Sequence, residues 1–271
     1  GDAATRYRED PVRIMRAVRF GAKLAALGFT LEPKTAKPLV EARALLAEVP
    51  QSRLFDEMIK LLQTGHAVPS VDQLRKLGLG KGIYPLLDVV VERADQPFVK
   101  AALADTDRRV AEGKPVAPSF LLACVLWQDV LGGWNARLAK GEHAFPALQD
   151  AIDQVFDARI GDVSGRGKLG ADMREIWMMQ PRFDKRSGST PYSLVEQARF
   201  RAAFDFMRLR VASLIVAALI MFVGIGAMVT KGFNFALDFT GGTAVELRFA
   251  KPVDVDDLRA LYGRYGFNQA L

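Results

Sequence analysis

The sequence predicts a mainly α protein: a multi-helix body, then one helix able to cross a membrane, then a small α+β segment. Three observations carry this. Apolar residues recur at helical spacing, between Gly and Pro breaks, from residue 10 to residue 210. The next 20 residues, Val211 to Thr230, carry no charge. Beyond them Thr243 to Phe249 alternates as a strand does, and Val253 to Tyr265 reads as a helix.

The bounds agree. A chain of 271 residues, half of them apolar, is long enough for one or two domains with real cores. The net charge of +6 and a pI near 9.5 favour acidic partners, nucleic acid or anionic lipid. Residues 1–210 hold 32 Lys+Arg and 26 Asp+Glu, and residues 211–271 hold 5 of each, so the surplus belongs to the first part. One cysteine, Cys124, excludes an internal disulfide framework, and its apolar surroundings predict a buried, inert thiol. His66 and His143 stand far apart without partners, which speaks against zinc. The chain starts at Gly1 with no signal-peptide pattern, and reads as a piece of something longer.

The first predicted helix starts at Asp10-Pro11, a capping side chain followed by a ring with φ already set. Ile14, Met15, Val18 and Phe20 form its apolar side, and Arg13, Arg16 and Arg19 a guanidinium row. A solvated surface helix is the plain alternative. Against it, arginine outnumbers lysine here, and its flat fork suits phosphates and base edges. Asp10 and Arg13, three apart, can share one patch in which the carboxylate accepts and the guanidinium donates.

Leu27-Gly28-Phe29 stops this helix. Residues 34–48 read as a second, with Ala36, Leu39, Val40, Ala42, Leu45 and Leu46 inward. Ser52 is the expected cap of a third, Arg53 to Thr64, in which Arg53 and Glu57 are spaced for an ordinary i,i+4 ion pair. Short helices at 71–77 and 83–93 flank Gly78-Leu79-Gly80-Lys81-Gly82, a tight turn without phosphate-loop spacing. Phe98 to Val110 ends in a polar stretch, Ala104 to Arg109. Pro118 to Leu131 is a buried core helix closed by Gly132-Gly133, and 145–158 is amphipathic. Residues 166–210 form a second basic block, with 10 Lys+Arg against 5 Asp+Glu. In it Arg182, Lys185, Arg186, Arg199 and Arg201 interleave with Phe183, Phe200, Phe204 and Phe206. That mixture suits RNA, although each Phe has core packing as its plain alternative.

Val211 to Thr230 spans ~30 Å as a helix, one bilayer core. Arg199, Arg201, Arg208 and Arg210 precede it and only Lys231 follows closely, which puts the N-terminal side in the cytoplasm and the C-terminus outside. The predicted divisions are a helical neck at 1–65, a helical body at 66–165, a basic arm at 166–210, the membrane helix at 211–230 and the α+β segment at 231–271.

Two resemblances follow. Glu9-Asp10-Pro11-Val12-Arg13-Ile14-Met15-Arg16 resembles the E-D-x-x-R segment of the tRNA nucleotidyltransferase and bacterial poly(A) polymerase family. Arg53 and Glu57 match that family's E-R-x-x-x-E pattern, with Ser52 departing from its first acid. Ala104 to Arg109 and Met173 to Phe183 resemble later segments of the bacterial poly(A) polymerases, so the likeness covers about residues 5–210. It implies that Asp10 and Arg13 recognise the base of the incoming ATP, with Arg16 in the same helix and Arg53 and Glu57 bracing the pocket. It also implies that Arg182, Lys185, Arg186, Arg199 and Arg201 meet the phosphates of an RNA 3′ end during polyadenylation. The family's Mg-binding carboxylates belong to a head domain not found in this sequence, which implies no cofactor and no catalytic residue here. Second, Asp238-Phe239-Thr240-Gly241-Gly242-Thr243 resembles the start of the SecF family of protein-export subunits. That likeness covers about residues 211–271 and implies translocase subunits as partners, with Asp238 a turn cap. The two meeting at Arg210 suggest a fused or misassembled reading frame, or a designed chimera.

Overall fold

The computed structural model describes residues 2–25, 27–160 and 167–231. The expected α+β segment therefore lies outside the described residues, apart from Lys231. Among the described residues all regular structure is helical. The α-helices are α1 (Ala3–Glu9), α2 (Val12–Ala25), α3 (Pro33–Glu41), α4 (Gln51–Leu62), α5 (Ala67–Lys76) and α6 (Pro85–Arg93). There follow α7 (Pro97–Ala111), α8 (Pro118–Leu138), α9 (Ala144–Val155), α10 (Gly167–Met179), α11 (Thr190–Val195) and α12 (Phe200–Lys231). The chain divides into two units, residues 1–220 and 221–271. The described part of the second is the end of α12.

In the first unit α2 lies against α4 and α5, and α8 is the central helix, packed by α9, α10 and α7. Val12, Ile14, Met15 and Val18 of α2 are buried, as their spacing requires. Phe20 departs from the expected apolar side and is 48% exposed. At about 100° per residue it lies about 120° round the helix from Ile14 and about 160° from Val18, and the Arg19 guanidinium sits 4.6 Å from its ring centre.

Several boundaries move for local reasons. A helix the sequence reading missed, α1, is capped by Asp2, whose carboxylate accepts from the Thr5 backbone N–H at 2.9 Å. Asp10 closes α1 through its own N–H, donated to Arg6 O at 3.2 Å, instead of capping α2 with its side chain. The helix expected over 34–48 stops at Glu41 and continues as a 3₁₀ turn, Ala42–Glu48. Pro38 inside α3 has no N–H to give, which weakens the ladder there. Val40, expected inward, is therefore turned out, while Leu39 and Leu46 are fully buried. Pro50, not Ser52, precedes α4, so Ser52 lies in its first turn.

Gly132-Gly133 does not end α8, which runs on to Leu138. A Cβ on Gly133 would stand 3.3 Å from the Ala151 side chain of α9, so the glycine serves close helix approach. The predicted tight turn at 78–82 is seen: Gly78 and Gly82 have φ of 68° and 77°, and the Gly82 N–H donates to Asp88 at 2.8 Å. Cys124 is buried as expected, and burial pushes its thiol well above the usual range.

Two polar side chains organise the interior. Arg93 donates to Val125 O at 2.9 Å and to Asp129 at 2.7 Å, and Arg159 reaches the other Asp129 oxygen at 3.1 Å. The Asp107 carboxylate accepts from the N–H groups of Ala67 and Val68 at 2.7 and 3.3 Å, capping α5 from another helix. The polar end of α7 is thus a structural joint.

The composition changes at Arg210, but the helix does not: α12 is continuous from Phe200 to Lys231. Phe206 anchors its first part, edge-on to Phe98 and Trp127 at 5.0 and 5.4 Å between ring centres. Leu219 to Val223 are each more than half exposed, so no side of α12 is covered there. Phe200–Gly226 is long and apolar enough to cross a membrane.

Candidate nucleic-acid interface

The first candidate cluster is built where α2 crosses α4. The two helices are in contact, and their Val12, Met15, Leu54 and Met58 are buried in one core. Packing these apolar faces brings the flanking charges together. Glu57 is the centre, with only 4% of its side chain exposed. Its Oε1 takes Arg16 Nε at 3.3 Å and Lys60 Nζ at 3.1 Å, and its Oε2 stands 3.5 Å from Arg19 Nη2. One buried carboxylate thus holds three cations, of which Arg16 and Lys60 stay about half exposed. Beside it Arg53 Nη2 donates to both oxygens of Asp10, at 3.2 and 3.4 Å.

Two expectations change here. Asp10 and Arg13 do not pair with each other: Arg13 donates to Glu9 at 3.1 Å and to Arg6 O at 3.3 Å, while Asp10 takes Arg53. Arg53 and Glu57, expected to pair along α4, both turn across to α1–α2. The reason is energetic: a pair within one helix is worth only a few tenths of a kcal/mol, so a partner brought near by packing displaces it.

The second cluster is the basic arm. Arg182 donates to Ser193 Oγ at 2.9 Å. Arg199 reaches the Asp172 carboxylate with Nε at 2.9 Å and Nη2 at 2.8 Å. Arg201 pairs with Asp205 at 3.2 Å along α12. Lys185 and Arg186 follow the 3₁₀ turn Gln180–Asp184 and are exposed, with no ion pair among the described residues. The Phe residues divide as well. Phe206 is core, whereas Phe183, Phe200 and Phe204 form a ring cluster with centres 5.9 to 6.3 Å apart. That cluster lines a cavity of about 240 Å³.

The chain is similar to known proteins over most of its length. Residues 28–90 match the family model "Probable RNA and SrmB- binding site of polymerase A". Residues 140–220 match "Polymerase A arginine-rich C-terminus". Both matches fall within the helical body. Poly(A) polymerase I of Salmonella typhi is 35% identical over 215 residues, which are 78% of this chain and 46% of that protein. Poly(A) polymerase I of Haemophilus influenzae is 35% identical over 217 residues, 78% of this chain and 47% of that protein. The chain thus spans less than half the length of these relatives. Residues 226–253 match the "SecD/SecF GG Motif". Protein translocase subunit SecF of Escherichia coli O157:H7 is 32% identical over 80 residues, 30% of this chain and 25% of that protein.

On the structure, the first match runs from the turn before α3 into α6, and the arginine-rich match from before α9 into α12. The arginine-rich match ends at residue 220 and the GG-motif match begins at 226, so both limits fall within α12. Among the described residues no three Asp, Glu, His or Cys side chains converge as a metal site.

Proposed function

We propose that the body holds the RNA 3′ end and the base of the incoming ATP for a polyadenylating nucleotidyltransferase. The carrying observation is the cationic surface around Glu57, which keeps Arg16, Arg19 and Lys60 in place beside the Asp10–Arg53 pair. In this reading Asp10 and Arg13 exchange Arg53 and Glu9 for the edge of the adenine when ATP arrives. Arg16, Arg53 and Glu57 keep the pocket in register. Arg182, Lys185, Arg186, Arg199 and Arg201 face RNA phosphates, and adenylate addition itself belongs to the family's metal-bearing head. Supporting this are the two polymerase domain matches and the relatives' name.

The test is binding of a fluorescent oligo(A) RNA to the chain across a salt series. Affinity that falls steeply and linearly in log–log form supports phosphate contact. Affinity indifferent to salt, or absent, overturns the reading.

A second reading has its own observation. The uncovered apolar surface of α12 suits a lipid environment, since a helix apolar on all sides is stable only when buried or in a bilayer. In that reading α12 tethers the body to a membrane on its cytoplasmic side, and translocase subunits are the neighbours that the SecF-like segment would meet.

A further inference from the structure

The strongest feature left over is the cavity between the 3₁₀ turn Gln180–Asp184, α11 and the start of α12. Phe183, Phe200 and Phe204 furnish three aromatic walls, Leu194 closes the floor, and Lys185 and Arg186 stand in the lining. Among the described residues no carboxylate lines it. The larger cavity nearby, about 370 Å³, contrasts with it because Asp105 and Asp205 lie in its wall. Phe204 keeps more than a third of its surface in water, although the adjacent Phe206 is fully buried. The Phe204 ring is thus presented at the surface beside the partly buried Phe183 and Phe200, and the two cations next to them are not spent in ion pairs among the described residues.

We infer that this cavity accepts one unstacked base of an RNA strand, against the Phe183–Phe200–Phe204 cluster, with Lys185 and Arg186 on the flanking phosphates. The inference rests on the RNA-binding reading above and narrows it to a site. Base–aromatic stacking tolerates any base, because each has a π face. Lys185 and Arg186 supply the charge that such stacking lacks. Arg199 and Arg201, tied to Asp172 and Asp205, serve here as struts of the arm and contribute less to the phosphates. An anionic lipid headgroup would use the same two cations. Three clustered rings lining one cavity favour the base.

The experiment uses the full chain with an oligo(A) RNA, the same strand made abasic, and vesicles of phosphatidylcholine with phosphatidylserine. Phe204→Leu keeps an apolar side chain but removes a ring, and its thermal unfolding midpoint reports whether the fold is kept. Phe183→Leu is the second variant. Each is expected to weaken oligo(A) binding about tenfold while leaving the abasic strand unchanged. Lys185→Gln with Arg186→Gln should flatten the log–log salt slope by about 1.4, the value for two phosphates of a single strand. Wild-type binding to oligo(A) with no change in either Phe variant, or an equal loss on the abasic strand, overturns the site but leaves the RNA-binding reading standing. Loss of vesicle binding in Phe204→Leu with oligo(A) binding intact assigns the cavity to lipid and also overturns it. No wild-type binding to oligo(A) overturns both.

Discussion

Arg53 on α4 donates to both carboxylate oxygens of Asp10, at 3.2 and 3.4 Å, across 43 residues of sequence. The pair ties the junction of α1 and α2 to the start of α4. Both partners keep solvent contact, Arg53 with half of its side chain exposed.

Because of that exposure the pair is a weak brace. Arg53→Ala is expected to change unfolding free energy by less than about 1 kcal/mol, read by urea denaturation. If the nucleotide reading is right, the same variant weakens ATP binding measured by calorimetry. A stability loss well above that limit would show that Arg53 is structural.

Glu57 is the opposite case. Its carboxylate is buried, and three cations converge on it. Glu57→Gln removes the compensating charge and leaves the cations to repel one another. Breaking a fully buried pair costs ~3–5 kcal/mol; with Arg16 and Lys60 half exposed, about 2 kcal/mol is expected here. Urea denaturation at low and high salt checks this, the loss shrinking as salt screens the repulsion.

Asp107 predicts a pH dependence. Burial raises its folded-state pKa above 3.8, opposed in part by the hydrogen bonds from Ala67 and Val68. The folded state therefore binds the proton more tightly than the unfolded one. The stability it contributes is full below pH 3.8 and is lost as pH rises through the folded value. Wild type minus Asp107→Asn, measured by unfolding at stepped pH from 3 upward, should fall across that window. At neutral pH Asp107→Ala should still cost about 1 kcal/mol, because two N–H groups of α5 lose their acceptor.

For α12 the expected outcome is carbonate-resistant membrane association of the expressed chain. Replacing Leu219 and Phe222 with Arg should release it, since a charge at the centre of a span costs roughly 3 kcal/mol on insertion scales. A wild-type chain recovered wholly in the carbonate supernatant would remove the tether reading.

The legible part of the fold was whatever repeats locally. The buried face of α2 at Ile14, Met15 and Val18 follows from 3.6-residue spacing, and Phe20 was misjudged only because its angle was not followed round the helix. The buried helix at Pro118 was plain from its apolar run, but its length was not. A Gly pair reads as a stop unless another helix needs the space, and Ala151 is out of sight from Gly133 in sequence. Helix α1 was missed because seven residues give too little periodicity to stand out. In the arm, the mixture of Arg and Phe was evident. Which Phe packs inside and which lines a cavity was not, since Phe204 and Phe206 differ only in the direction they face on α12.

By itself, then, the sequence determined the helical class, the core face of strongly periodic helices such as α2, the basic character of the first 210 residues and the apolar span that follows. Each depends on composition and on spacing within a few turns. The tertiary structure alone decided the pairings: Asp10 with Arg53, Glu57 with Arg16, Arg19 and Lys60, and Asp107 with the start of α5. The physical reason is that a charged side chain has many partners within reach along its own helix, each worth little. Only the burial of neighbouring apolar faces brings a distant partner close and strips away the water that would otherwise separate them.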